Sequence, residues 1–266
     1  MEEKPQEVLQ SELPATVGSY WQKRRVWDRY EEENDPVIGK ILQEQRELVV
    51  QAVREFAAKQ DKLVLVADLG CGTGKVAVDL MALDRVQSLL AVDINDLALR
   101  KVAAGAAQSG LQNKLRFLSG DFYELNWKPD DRFDVVVCMD VLHHLPNLPR
   151  MLAMIKSRLT PGGIFVGNIR SRESAKKFFD RYGLVKRWLI RIQPEVDRRL
   201  PAKSRIRRWL GSIGYFRIRV LTRRETETVL RDAGFGIREF ATGYYHWFVC
   251  ARAEGGSEGG QAAQGA

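Results

Sequence analysis

The stretch "ADLGCGTGKVAVDL", residues 67–80, places three glycines within five positions, directly behind an aspartate that ends an apolar run. Glycine lets the main chain approach a ligand or a neighbouring helix closely. A phosphate-binding P-loop is excluded, because position 69 is Leu and Lys75 is followed by Val76 instead of Ser or Thr. A dinucleotide loop of the form G-x-G-x-x-G/A is met by Gly72, Gly74 and Ala77, so the loop alone leaves that alternative open.

The flanking sequence predicts an α/β fold. Short apolar runs alternate with helix-periodic segments, and this order indicates a mostly parallel sheet with helices on both faces. The predicted strands are "KLVLVADLG", "SLLAVDI", "KLRFLSGD", "DRFDVVVCMD" and "GGIFVGNI", followed late in the chain by "FGIREFATGYYHWFVCAR", which predicts two antiparallel strands with a turn near Gly243. The expected architecture is a seven-stranded, Rossmann-like sheet with an antiparallel C-terminal hairpin and a helical cap.

Acidic residues recur at the carboxyl ends of the predicted strands, where ligands of open α/β sheets bind. Asp68 ends the first apolar run, Asp93 closes the second strand, Asp121 follows the third and Asp140 closes the fourth. So many carboxylates would repel a pyrophosphate, whereas a cationic ligand that carries an adenosine would be attracted. Each acid taken singly has an alternative as a turn or helix cap, because Asp is common after strands for local hydrogen-bonding reasons.

Five stretches in this order, "VADLGCGTG", "AVDI", "GDFYEL", "FDVVVCMDVLHHL" and "LTPGGIFVG", resemble the class I S-adenosylmethionine-dependent methyltransferases, in particular those acting on small molecules. The resemblance covers about residues 60–170 and 222–252. It implies that S-adenosyl-L-methionine is the cofactor and that the glycine loop holds its methionine part, with loop N–H groups facing the carboxylate and Asp68 the ammonium. The implied cofactor-binding residues are Asp68, Gly70, Cys71, Gly72, Gly74, Asp93, Ile94, Asp121, Phe122 and Asp140.

Methyl transfer from a sulfonium is an in-line displacement in which positioning supplies much of the catalysis, although an oxygen or nitrogen acceptor can need a general base. Two of the three histidines, His143 and His144, follow the fourth strand directly. His143 is the candidate base or substrate contact, His144 a substrate-side candidate, and a purely structural role for one of them is the alternative. In the amino-terminal stretch "SYWQKRRVWDRYEEE", Tyr20 and Tyr30 are further substrate-side candidates.

The positive charge is concentrated in one segment. Residues 170–219 contain sixteen Lys or Arg against four Asp or Glu, a charge of +12, so the remainder of this +8 chain is negative, at −4. Two amphipathic stretches with Trp and Arg within 184–213 suit a lid over the crevice or contact with an anionic membrane surface. Solvated arginines on a packed helix are the alternative. An acceptor that is small or lipid-like is therefore expected, and an RNA or other nucleic-acid modifier that uses the Arg-rich segment is a second hypothesis. A third is a cofactor-binding partner subunit without its own activity.

The remaining expectations concern organisation. Residues 1–18 are expected to be a flexible leader, 19–60 a helical cap, 61–252 the catalytic domain with a basic helical insertion at 170–220, and 253–266 a disordered tail. Neither a signal peptide nor a spanning helix is visible, so a cytoplasmic location, with peripheral membrane contact as an option, is expected. The three cysteines are far apart and predict no zinc site or disulfide, and no metal is expected.

Overall fold

A computed structural model describes residues 36–174 and 219–252 of the chain, with the side chains of 36–38 left aside. Helix α1 (Pro36–Ala58) comes first and is followed by β1 (Val64–Leu69), α2 (Lys75–Met81), β2 (Val86–Asp93), α3 (Asp96–Gln108), β3 (Leu115–Ser119), β4 (Phe133–Cys138), α4 (Leu148–Arg158), β5 (Leu159–Arg170), α5 (Arg223–Asp232), β6 (Phe235–Thr242) and β7 (Tyr245–Arg252). Each predicted strand and helix within these residues is present.

The seven strands form one sheet in the order β3-β2-β1-β4-β5-β7-β6. Pairs along β3-β2-β1-β4-β5 are parallel, and β7 runs antiparallel to both β5 and β6. The sheet therefore confirms the predicted fold class, including the C-terminal hairpin. The strand order reverses between β1 and β4, so the crevice expected of such sheets opens at the carboxyl ends of these two neighbouring strands.

The two faces of the sheet carry separate hydrophobic cores. Helices α1, α2 and α3 pack on one face, where Val49, Val53, Val66 and Val166 are buried. Helices α4 and α5 cover the other face. Helix α1 is tied to α2 by an Arg46–Asp79 ion pair, so the part of the predicted amino-terminal cap within the described residues packs directly on the domain.

Local signals start the helices where the sequence predicts. Asn95 caps α3, because its side-chain oxygen accepts the N–H groups of Leu97 and Ala98 at 2.9 and 3.4 Å. A reciprocal capping box joins Thr222 and Glu225 at the start of α5. These caps fix the chain direction at the point where it leaves the crevice and where it returns to the sheet.

The two ends of the predicted basic insertion meet beside β5. Ser171 and Leu221 form a parallel bridge, and the Leu221 N–H donates to the Arg170 carbonyl at 3.1 Å. Buried His246 on β7 holds this junction, since its Nε2 lies 2.9 Å from the Leu221 carbonyl and 3.2 Å from a Glu173 carboxylate oxygen. Residues 175–218 between these ends, together with 1–35 and 253–266, lie outside the described part of the chain, as do the predictions made for them.

Candidate active site

The glycine loop after β1 has the conformation that requires glycine. Gly70, Gly72 and Gly74 have φ values of 76°, 53° and 82°, in the left-handed region. A Cβ on Gly70 would lie 2.3 Å from Cγ2 of Val141 in the loop after β4, and one on Gly74 would lie 2.6 Å from Cγ2 of Val102 on α3. The glycines therefore let two neighbouring segments close over the loop.

The amides of this loop have acceptors within the protein. The Gly70 and Cys71 N–H groups donate to the Val92 carbonyl at 2.7 and 3.1 Å, and the Gly72 N–H donates to Asp93 Oδ2 at 3.0 Å. From the sequence, loop amides are expected to face the carboxylate of a ligand. In this structure the N–H groups of Gly70, Cys71 and Gly72 donate to residues of β2 and hold the loop against the end of that strand. The Cys71 thiol is buried, and burial is the main reason that its pKa is raised.

Asp93 organises the end of β2. Its Oδ1 accepts the Asn95 N–H at 2.8 Å while Oδ2 accepts that of Gly72. Burial raises the pKa of Asp93, and the N–H groups of Asn95, Gly72 and Ile94 partly oppose this rise. Ile94 itself is half-buried. The carboxylate thus holds the glycine loop against the start of α3, whatever else it contacts.

Asp68 is a buried acid with an incomplete set of hydrogen bonds. It is the next-to-last residue of β1 and is 2 % exposed, and its Oδ2 has no hydrogen-bond partner. Burial, followed by the charge of Asp93, raises the pKa of Asp68 to about 7. An unpartnered buried carboxylate beside a second carboxylate is destabilising by itself and favours a cation at this position.

Asp121 and Phe122 follow β3 at the same edge of the sheet, and both are half-buried. Asp121 Oδ1 accepts the Tyr123 N–H two residues on, at 2.9 Å, which is the local turn interaction weighed as the alternative for these acids. Phe122 packs against the core beneath α4. The turn contact of Asp121 therefore accounts for part of the reason that an aspartate stands at this position.

Asp140 lies two residues beyond β4 with a φ of 59°, and it is the single non-glycine residue with positive φ in the described segments. Its N–H donates to Asn168 Oδ1 at 2.7 Å. Burial raises the pKa of Asp140, while a hydrogen bond from the Tyr245 hydroxyl and the charge of Arg170 act in the opposite direction. The Asp140 carboxylate thus lies beside the Tyr245 hydroxyl of β7, and its Oδ1 is 3.4 Å from Nε2 of His143.

The two histidines form a short 3₁₀ turn with Leu142. His143 is 2 % exposed, with Nε2 at 3.4 Å from Asp140 Oδ1 and with Nδ1 lacking a partner. Burial, aided by His144 and the nearby arginines, holds the pKa of His143 well below its usual value. Burial and the charge of Arg170 lower the pKa of His144 to about 3. Both rings are therefore neutral at pH 7, and a base of such low pKa removes protons weakly.

Two further residues of this cluster were not singled out from the sequence. Arg170, which ends β5, is 9 % exposed, donates from Nη1 to the Tyr245 hydroxyl at 2.9 Å, and stacks its guanidinium 3.9 Å from the Tyr244 ring centre. From the sequence, Arg170 is the first residue of the basic segment. The period of two along β5 indicates its burial, because it places Arg170 on the same face as buried Asn168 and Val166.

Arg219, at the other end of that segment, is also buried. Its N–H donates to the His143 carbonyl at 2.9 Å, and its Nη1 donates to the Leu145 carbonyl at 3.1 Å. Arg219, which was counted with the basic segment, therefore stabilises the histidine loop. Tyr20 and Tyr30 lie outside the described residues, so their predicted substrate-side role stays a prediction.

Within residues 36–174 and 219–252, no group of three or more His, Cys, Asp or Glu side chains is placed to hold a metal ion. Over the same residues, no helix combines the length and the apolar character that a membrane crossing requires.

Comparison with known proteins finds similarity to methyltransferases over part of the chain. Residues 66–163 match the family model described as "Methyltransferase domain". A sterol 24-C-methyltransferase of Gibberella zeae is 33 % identical over 100 residues, which are 38 % of this chain and 26 % of that protein. A ubiquinone biosynthesis O-methyltransferase of Psychrobacter cryohalolentis is 27 % identical over 166 residues, 61 % of this chain and 63 % of that one. The chain thus matches less than two thirds of the length of these relatives.

Among solved structures, an S-adenosylmethionine-dependent methyltransferase from Clostridium acetobutylicum superposes with a TM-score of 0.56 and 14 % identity, over 80 % of this chain and 92 % of that one. At such identity the likeness concerns the fold alone. Glycine loop, strand-end acids and sheet order agree with the match of residues 66–163 to the methyltransferase domain.

Proposed function

We propose that this protein binds S-adenosylmethionine at the carboxyl ends of β1, β2 and β4 and transfers its methyl group to a small or lipid-like acceptor. The observation that supports this most directly is the unpartnered Oδ2 of buried Asp68. A binding site for a neutral or anionic ligand would gain nothing from a carboxylate held in this state, whereas a cationic ligand removes the penalty of its burial.

The residues present fit that cofactor. Asp68 would accept its ammonium group, and Asp93 and Ile94 would border ribose and adenine at the end of β2. Asp121 and Phe122 would lie on the adenine side. Asp140 would lie near the methionine part and the acceptor. When bound, the cofactor supplies a methyl group on a positively charged sulfur, with the thioether as leaving group.

The remaining task of the protein is to position the acceptor and to exclude water. The neutral state of His143 lets it accept a hydrogen bond or a proton from an acceptor, but the lowered pKa makes it a weak base. An acceptor that is already nucleophilic, or an activated carbon, would need little help. The relatives named for sterol and for ubiquinone methylation support an acceptor of this small or lipid-like class. Contact with a membrane or with nucleic acid would involve residues 175–218, outside the described chain.

Calorimetric titration with S-adenosylmethionine, with NADH as the competing cofactor, tests this proposal. We expect S-adenosylmethionine to bind and NADH to give no signal. Asp68→Asn should weaken binding at least tenfold, because it removes the charge that faces the ammonium. Asp84→Asn, an exposed residue ahead of β2 at the opposite end of the sheet, is the matched control and should bind as the wild type does. Binding of NADH alone would refute the proposal.

A further inference from the structure

Asp140 occupies a backbone conformation that is uncommon for residues other than glycine. Such a conformation persists where the surroundings enforce it. The enforcing contact here is the 2.7 Å hydrogen bond from the Asp140 N–H to Oδ1 of Asn168. Asn168 lies on the adjacent strand β5 and is 1 % exposed, so water does not compete for this bond.

Both polar atoms of the Asn168 side-chain amide form hydrogen bonds. Because Oδ1 accepts the Asp140 N–H, Nδ2 faces the other way and donates to Oε1 of Gln45 on α1 at 3.1 Å. The amide therefore spans from the loop after β4 to the first helix of the described chain. Aspartate or leucine at this position would lose one or both of these bonds.

The loop that Asn168 holds contacts the glycine loop directly. Val141, the residue after Asp140, occupies the space where Gly70 would carry a Cβ. A change in the backbone at Asp140 would move Val141 against or away from Gly70, and it would redirect the Asp140 carboxylate. The position of that carboxylate relative to a ligand on the glycine loop thus depends on Asn168, a residue of the neighbouring strand β5.

We propose that Asn168 is a positioning residue, which holds Asp140 in its left-handed conformation and so sets where the Asp140 carboxylate lies relative to the proposed cofactor site. This inference rests on the proposed function. The carboxylate favours the charged sulfur of S-adenosylmethionine over the neutral sulfur of S-adenosylhomocysteine. Loss of Asn168 lets the loop relax, and the preference for the charged ligand decreases.

The experiment measures the dissociation constants of S-adenosylmethionine and S-adenosylhomocysteine by calorimetry at pH 8, for the wild type and Asn168→Ala. The ratio of the two constants is the readout, because a general loss of stability weakens both ligands alike. We expect the preference for S-adenosylmethionine to fall about three- to tenfold, the change produced when a unit charge moves by about 2 Å near a charged sulfur. Thr160→Ala, at the opposite end of β5, removes a hydrogen bond to Asp134 and should leave the ratio unchanged.

A double-mutant cycle identifies the route of the effect. In an Asp140→Gly background, where glycine adopts the left-handed conformation freely and no carboxylate remains, Asn168→Ala should leave the ratio unchanged. An equal fall in both backgrounds would overturn the proposal, as would an unchanged ratio in the single variant. If Asn168→Ala does not fold, Gln45→Ala, which removes the hydrogen bond that orients the Asn168 amide, replaces it in the test. A fall of at least twofold in the preference for S-adenosylmethionine supports the proposal, and an unchanged ratio of the two constants overturns it. Absence of binding of either ligand to the wild type would instead refute the proposed function.

Discussion

Asp68→Asn is predicted to stabilise the ligand-free protein while it weakens cofactor binding. The pKa of Asp68 rises from 3.8 to about 7 on folding, mainly through burial. Each unit of pKa corresponds to about 1.36 kcal/mol, so the ionised carboxylate costs about 4 kcal/mol of folding free energy above pH 7. The asparagine amide removes the charge but is itself buried with an incomplete set of hydrogen bonds, at a cost of about 1–3 kcal/mol. The expected net gain at pH 8 is about 1–3 kcal/mol.

The pH dependence follows from the same shift. Below pH 3.8 the carboxyl is protonated in both states and no penalty exists. Between 3.8 and about 7 the folded protein retains a proton that the unfolded chain has released, so the contribution of Asp68 to stability falls as pH rises, and the full penalty is present above about 7. At pH 5 only about 1.6 kcal/mol of it has developed. The advantage of Asp68→Asn over the wild type should thus shrink by about 3 kcal/mol between pH 8 and pH 5.

Urea unfolding without ligand, at pH 5 and pH 8, measures both quantities for the wild type, Asp68→Asn and the exposed control Asp84→Asn. The control should follow the wild type at both values of pH. A variant less stable than the wild type at pH 8, or an advantage that is equal at the two pH values, would show that the buried charge of Asp68 is not a cost to the fold. The argument for a cationic ligand would then lose its main physical support.

Three other results are expected. The affinity of the wild type for S-adenosylmethionine should fall about tenfold for each pH unit below about 7, and calorimetry on Asp68→Asn should show no such slope, since the proton that must leave is that of Asp68. Gly74→Ala should cost at least about 2 kcal/mol more in urea unfolding than Gly162→Ala, because both have positive φ but only the first would force a Cβ into α3; equal costs would contradict the close packing. The ring protons of His143 and His144 should not titrate by NMR between pH 5 and 8, whereas a midpoint near 6.5 for His143 would show that the ring is solvated.

The succession of strands and helices along the chain can be predicted from local sequence patterns. Apolar runs such as that ending at Asp68 predict buried parallel strands, and the intervening periodic segments predict the helices that cover them, because these patterns depend on the spacing of residues along one element. The glycine loop could be predicted from the sequence for the same reason. Its three glycines each meet a local requirement for positive φ, and two of them also admit a neighbouring segment.

The contacts of the strand-end acids were harder to predict from the sequence. Asp93 binds two backbone amides of the protein and Asp121 one, so part of the pattern that indicated a ligand is explained by loop and turn contacts. What distinguishes Asp68 from both is that its buried Oδ2 has no hydrogen-bond partner. Those properties depend on the segments that cover the strand end, which come from distant parts of the chain.

The sequence alone determined the order of strands and helices along the chain, the glycine loop and the set of acids that follow the strands. Each of these follows from spacing over a few residues. Tertiary structure decided which charges are buried. Arg170, counted with the exposed basic segment, is enclosed because antiparallel β7 sets Tyr245 directly opposite it. Asp140 takes its left-handed conformation because Asn168 on a neighbouring strand accepts its N–H. Both outcomes depend on the register between strands that are far apart in the chain, and this register is not encoded in either strand by itself.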